Sequence, residues 1–116
     1  MGKVRIYHNP RCSKSRATLA LLEGRGVQPE IVDYLSMPPS AAELSAILDQ
    51  LGMQPRELMR RDEPEYQELD LDRPTLTHDE LLAAMVAHPR LIQRPIVLAN
   101  GKAALGRPPE AVLDIL

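Results

Sequence analysis

A chain of 116 residues is enough for one domain and not comfortably for two. A formal net charge of −2 gives no basis for a general nucleic-acid or acidic-membrane binder. Three Tyr with no Phe and no Trp leave the core to Leu, Ile, Val, Ala and Met, and argue against base-stacking modules.

The apolar runs are only a few residues long, far short of a membrane span. The opening Met1-Gly2-Lys3-Val4-Arg5 carries a charge inside its apolar stretch and no small-residue cleavage site, so it does not read as a signal peptide. Gly2 invites a myristoylation motif, but Ile6 stands where that motif wants Ser or Thr. The single cysteine, Cys12, forbids an intramolecular disulfide and fits a reducing compartment. The expected setting is the cytoplasm.

Lys3 to His8 alternates and predicts a strand with Val4 and Ile6 on one face. Asn9-Pro10 is a turn signal. A helix follows from near Ser13, with Ala17, Ala20 and Leu21 at helical spacing and Gly24 and Gly26 at its end. The apolar run Ile31 to Leu35 reads as a second strand. Ser40 with Glu43 forms a capping box ahead of Leu44, Ile47, Leu48 and Leu51, an amphipathic helix ended by Gly52. Residues 55–69 read as one or two short helices broken near Pro64. Thr77 with Glu80 is a second capping box, for a helix that buries Leu82, Met85 and Val86.

Pro95 opens the continuous apolar run Ile96-Val97-Leu98-Ala99, which reads as a strand buried on both faces. Asn100-Gly101 is a type I′ hairpin signal, and Ala103 to Leu105 returns as the paired strand. Pro108-Pro109-Glu110 starts a final helix with Val112, Ile115 and Leu116 on one side. The order β-α-β, helices, β-β-α is that of an α/β thioredoxin-like fold with a mixed central sheet. The expectation is one domain over 1–116 with a helical insertion at approximately 37–90.

Cys12 falls between a strand-turn and the first turn of a helix. Backbone N–H groups there lack intrahelical partners, and the helix dipole adds positive potential, so thiolate is favoured over thiol. Arg11, Lys14 and Arg16 add positive charge nearby. Ser15 holds the second position of a C-x-x-C pattern with oxygen in place of sulfur. Its hydroxyl can hydrogen-bond a thiolate but cannot resolve a disulfide, so the chain needs an external thiol. A phosphatase loop would need C-x5-R, and the residue six after Cys12 is Thr18. Oxyanion binding asks for arginine, whose planar guanidinium grips such ions bidentately. Arg56, Arg60, Arg61, Arg73, Arg90, Arg94 and Arg107 are all candidates by residue type. Arg94 stands apart because it precedes Pro95, at the junction where a thioredoxin-like fold carries a cis-proline facing the active cysteine.

His78 and His88 read as structural, and the histidines and cysteine show no metal-ligand spacing. Asp62, Glu63, Glu65, Glu68, Asp70 and Asp72 read as a solvated face, and the five Met as core filler.

The string Ile6-Tyr7-His8-Asn9-Pro10-Arg11-Cys12-Ser13-Lys14-Ser15-Arg16 resembles the active-site segment of the glutaredoxin-coupled arsenate reductases. Arg56-Glu57-Leu58-Met59-Arg60, Arg94-Pro95-Ile96-Val97 and Gly106-Arg107-Pro108-Pro109 resemble that family's arginine segments, in family order. Ser13-Lys14 follow the cysteine where the resistance enzymes have Gly-Thr, which brings the chain closer to a chromosomal subgroup.

The resemblance implies that Cys12 attacks arsenate and that Arg60, Arg94 and Arg107 hold the oxyanion. His8 would tune the cysteine and Ser15 would support its thiolate. Glutathione would be the co-substrate and glutaredoxin the partner that completes reduction to arsenite, with no bound cofactor and no metal. A monomer is expected, with no nucleic-acid or membrane partner. The alternatives are a glutathione-dependent thiol oxidoreductase on another substrate, and a redox-linked regulator that binds RNA polymerase.

Overall fold

The computed structural model describes residues 3–116. The readings made on Met1 and Gly2 lie outside them. Among the described residues no helix is long and apolar enough to cross a membrane. The chain forms two compact units, one taking in the chain up to Met37 together with Arg94–Leu116, the other Pro38–Gln93.

The first unit is built on a four-stranded sheet in the order β2-β1-β3-β4. Strand β1 is Arg5–His8, helix α1 is Ser13–Gly24 and β2 is Glu30–Asp33. The second unit supplies α2 (Ala41–Leu51), α3 (Pro64–Glu68) and α4 (His78–Ala87), and the chain returns to the sheet as β3 (Ile96–Ala99) and β4 (Lys102–Leu105). Strand β2 lies parallel to β1, whereas β3 runs antiparallel to both β1 and β4. This is the mixed central sheet expected from the element order.

Ile6 pairs with Val97 in register, and both are fully buried. Around them Leu22 of α1, Ala99, Val112 and Ile115 close one core cluster, with Val4, Leu19, Leu21, Val27 and Ala104 packed against it. Side chains alternate along a strand, so His8, two residues beyond Ile6, faces the same side.

The β3–β4 turn has positive φ at both central residues, 54° at Asn100 and 73° at Gly101, the backbone a type I′ hairpin requires. Asn100 Nδ2 also donates to the carbonyl of Ile115 at 2.8 Å and ties the turn to the C-terminal segment. That segment, Pro109–Ile115, is a 3-10 helix rather than the expected α-helix. Residues three apart eclipse in a 3-10 helix, so Val112 and Ile115 stack inward, while Leu116, expected on that side, is exposed. Strand β2 ends earlier than the apolar run suggested. Asp33 Oδ1 accepts from Leu35 N–H and Oδ2 from the Ser36 hydroxyl, which turns the chain; Leu35 beyond the strand and Ile31 within it are exposed.

In the second unit Ser40 Oγ accepts from Glu43 N–H at 3.1 Å, and α2 ends at Gly52. Thr77 and Glu80 form the reciprocal box at α4, which buries Leu81, Leu82 and Met85 and leaves Val86 half-buried. Helix α4 packs on α2 and on two 3-10 turns, Pro55–Leu58 and Pro89–Leu91. A short antiparallel bridge joins Met59 to Ile92, with Arg60 N–H donating to Leu91 O at 2.6 Å and Gln93 N–H to Leu58 O at 2.8 Å. No periodicity in the sequence announces this bridge. Two short helices cover 55–69 as expected, the Pro55–Leu58 turn and α3, and the break falls just before Pro64, which opens α3, as its fixed φ favours.

Gly106, just past β4, is packed where no side chain fits. An added Cβ would overlap Thr18 Oγ1 and lie 2.7 Å from Pro95 Cγ. At Gly24, in the last turn of α1, an added Cβ meets nothing within 4 Å. Gly106→Ala is therefore expected to lower stability by about 1–3 kcal/mol through overpacking. Gly24→Ala is expected to be neutral or to raise stability by up to about 1 kcal/mol. Urea denaturation of the two variants checks both.

Candidate functional site

Cys12 is the N-cap of α1, with extended backbone at φ −94° and ψ 124°. Its N–H donates to Asn9 O at 3.0 Å, closing the turn after β1, and its carbonyl accepts the first helical bond, from Arg16 N–H at 3.0 Å. The thiol is half-buried. Burial pushes its pKa up, but the backbone N–H groups of Ser15 and Lys14 and the guanidinium of Arg94 outweigh that, leaving the thiol below its ordinary range. These are the orphan donors of a helix start turned on an anion.

The cation that acts on the thiol is thus Arg94, and not the three basic neighbours in sequence. Arg16 spends NH1 on the carbonyl of Pro10 at 3.0 Å. Lys14 acts through its backbone, and Arg11 N–H donates to Asn9 Oδ1 at 3.0 Å. Arg94 stands two residues before β3, joined to Pro95 by a cis peptide bond. Its Nε and NH1 are buried and have no hydrogen-bond partner among the described residues. Arg107, beyond β4, donates from NH1 to the carbonyl of Arg94 at 3.2 Å. Gly106 N–H donates to Pro95 O at 2.9 Å. Cys12, Arg94 and Arg107 are therefore joined within the first unit by these contacts.

Ser15 is fully buried, and its hydroxyl is engaged elsewhere than the sequence suggested. Ser15 Oγ accepts from Asn9 N–H at 3.0 Å and lies 2.6 Å from His8 Nδ1. Ser15 serves the thiol through its backbone N–H, and its hydroxyl locks the turn before the helix to the end of β1. His8 is buried, which pushes its pKa down. Asp33, its register partner on β2, opposes that shift, and Arg16 adds to it. With Ser15 Oγ accepting from Asn9 N–H, its hydroxyl proton is free to go to an unprotonated Nδ1 of a neutral imidazole.

Arg60 belongs to the second unit. Its guanidinium is ion-paired to Glu63 and lies 4.0 Å from Asp62. Glu63, read from sequence as part of a solvated face, is buried and also takes Arg90 at 3.2 Å. Nor is Asp72 merely solvated, since it accepts the hydroxyl of the buried Tyr66 at 3.0 Å. Arg56 donates to the carbonyls of Leu71 and Arg73 at 3.0 and 2.7 Å and so stitches a loop. His78 opens α4 and is exposed, and His88 caps its end by donating its N–H to Ala84 O. Among the described residues no three His, Cys, Asp or Glu form a group that could hold a metal ion.

Residues 7–115 match the model of the ArsC family. The chain is 53% identical over 117 residues to the arsenate reductase of Neisseria meningitidis serogroup A, covering 100% of each chain. It is 56% identical over 115 residues to the uncharacterized protein YfgD of Escherichia coli K12, covering 98% of this chain and 97% of that one. Among solved structures, the arsenate reductase of Vibrio cholerae superposes with a TM-score of 0.97 at 53% identity, covering 99% of this chain and 98% of that one.

Two pH profiles test the geometry. The rate of Cys12 alkylation by iodoacetamide should rise with a midpoint below the ordinary thiol range. Arg94→Gln should move that midpoint up, because a cation beside the thiolate is lost. For His8 the folded pKa is depressed, so the unfolded chain binds the extra proton and acid destabilises the fold. Thermal melts should therefore show stability falling as pH drops from about 7 towards 5. The fall should be shallower in His8→Asn.

Proposed function

The chain belongs to the ArsC family, and from that membership we propose that it reduces arsenate to arsenite through an adduct on Cys12, with glutathione and glutaredoxin as reductants. The observation that supports this reading most directly is a thiol held towards its ionised form beside a guanidinium with two buried, unpartnered nitrogens. Such nitrogens carry a standing desolvation cost that an oxyanion relieves.

In this reading the Cys12 thiolate attacks the arsenic of arsenate, and an arsenate oxygen leaves as water after protonation. Arg94 binds the remaining oxygens as charge develops on them, which is where preorganised donors lower a barrier most. Arg107 braces Arg94 through its carbonyl and offers its remaining nitrogens to the same anion. Arg60 is assigned as a third oxyanion ligand on the resemblance of its segment. His8 and Ser15 act as positioning residues, holding the turn that aims the Ser15 and Lys14 N–H groups at the sulfur.

Ser15 cannot attack a sulfur, so the two electrons come from outside. Glutathione condenses onto arsenic with loss of a second water. The glutaredoxin thiolate then attacks the glutathione sulfur. One mixed disulfide forms, As(V) becomes As(III), and water releases arsenite from Cys12. No bound cofactor or metal enters these steps. A binding module alone has no use for an ionised thiol. The same reading places the chain in the reducing cytoplasm as a monomer.

With glutathione, glutaredoxin and glutathione reductase supplied, arsenate should drive NADPH oxidation in the wild type and not in Cys12→Ser. Arg94→Ala should lower kcat/KM by about 10²–10³-fold, the loss typical of one preorganised donor. A folded wild type that is inactive with all components present overturns the proposal.

A further inference from the structure

In the second unit a nearly buried carboxylate is shared by two arginines of unequal exposure. The Glu63 side chain is 11% exposed, that of Arg60 22% and that of Arg90 64%. Glu63 Oε1 takes NH1 of Arg60, and Oε2 takes NH2 of Arg90 at 3.2 Å. Each oxygen therefore has its own cation. The arrangement is fixed from the backbone as well. Glu63 N–H donates to Arg60 O at 3.2 Å, and Arg60 N–H donates to Leu91 O, directly beside Arg90. Glu65 lies 3.9 Å from Arg90 Nε and completes the local charge balance. The other terminal nitrogen of Arg60, NH2, lies 4.0 Å from Asp62, its one ion-pair partner among the described residues, and Asp62 is 81% exposed. One edge of the Arg60 guanidinium is held, and the other faces a weak, solvated partner.

An arginine that is to grip an oxyanion cannot be tied to a buried carboxylate whose only counter-charge it is. Pulling it away would strand that carboxylate, and an unpaired buried charge is strongly disfavoured. Arg90 removes this obstacle, because Glu63 stays neutralised when Arg60 swings or is drawn to an anion. We propose that Arg90 is a positioning residue for the reaction: by sharing Glu63 it frees the Arg60 guanidinium for the oxyanion. This rests on the reading of Arg60 as an oxyanion ligand. Arg90 itself touches no substrate, so its effect falls on how readily arsenate captures Arg60.

The experiment compares KM for arsenate and kcat in wild type, Arg90→Gln, Arg90→Lys and Arg90→Gln/Glu63→Gln, using the coupled NADPH assay. Without Arg90, Glu63 holds Arg60 as its sole cation and competes with the substrate. KM should rise roughly five- to tenfold, with kcat within about twofold of wild type, a coupling of ordinary size. Arg90→Lys retains the charge and should keep KM close to wild type. Adding Glu63→Gln to Arg90→Gln should bring KM back down, because an amide oxygen accepts from Arg60 without holding its charge. A purely structural Arg90 would lower kcat along with the folded fraction and would not be repaired by a second loss. An unchanged KM in Arg90→Gln, or a raised KM that persists in the double variant, overturns the inference while leaving the arsenate reading intact. An inactive wild type overturns the arsenate reading itself, before any variant is compared.

Discussion

The sulfur of Cys12 is held where burial disfavours its charge and where backbone N–H groups and one guanidinium favour it more strongly. Most of the first unit can be understood as the means of bringing those donors to one atom. The end of β1 and the turn closed by Cys12 N–H start α1 at the residue that exposes its free amides to the thiol. The His8–Ser15 pair holds that turn from beneath. On the far side, β3 begins one residue after Pro95 and so carries Arg94 at its mouth, while Gly106 lets the chain leaving β4 pass against Thr18 and Pro95 and deliver Arg107. A thiolate that needed only low pKa could be had with fewer parts. The unpartnered nitrogens of Arg94 are the part that points beyond the sulfur, to an anion.

The second unit handles charge differently. Its arginines are not left open but are given carboxylates: Arg60 and Arg90 share Glu63, and Glu65 stands near Arg90. A pair this buried contributes little net stability, because desolvating both charges consumes most of their attraction. What it does supply is direction, since a long side chain with one fixed edge samples few rotamers. The price of that order is competition between the internal carboxylate and any external anion.

Local signals in the sequence were strong where a backbone requirement singles out a residue type. Ser40 and Thr77 start helices because their oxygens accept an orphan N–H, and Asn100-Gly101 turns a hairpin because both residues tolerate positive φ. The helix start at Cys12 was legible for the same reason. Signals failed where the answer depended on distant residues. The positive charge expected from Arg11, Lys14 and Arg16, which crowd the thiol in sequence, comes instead from Arg94, far along the chain, which only the Pro95 junction singles out. Its place in the C-x-x-C pattern suits Ser15 to donate to the sulfur, but the strand before it offers the hydroxyl a partner in His8. Glu63 sat in an acidic run whose composition argues for solvent, and only the bridge between Met59 and Ile92 brings Arg90 back to it. The C-terminal segment illustrates a subtler limit. Val112 and Ile115 suit a 3.6-residue and a three-residue helix equally, and Leu116 alone distinguishes them.

Strand β1 lies between β2, which follows it closely, and β3, which is made almost a full chain length later. Arg5, Ile6 and Tyr7 take Leu98, Val97 and Ile96 as partners. On a ribosome, then, the first strand emerges with its β3 edge open, and that edge stays open until β3 has cleared the exit tunnel. Pairings of such long range are slow to form, since loop closure precedes any gain. The same late segment carries Arg94 and Arg107, so a nascent chain shows its cysteine before it owns the arginines that govern it. Completion of the sheet therefore brings the last of the thiol's donors, and a chain cut short before β3 carries a sulfur served by backbone N–H groups alone, on an unfinished sheet.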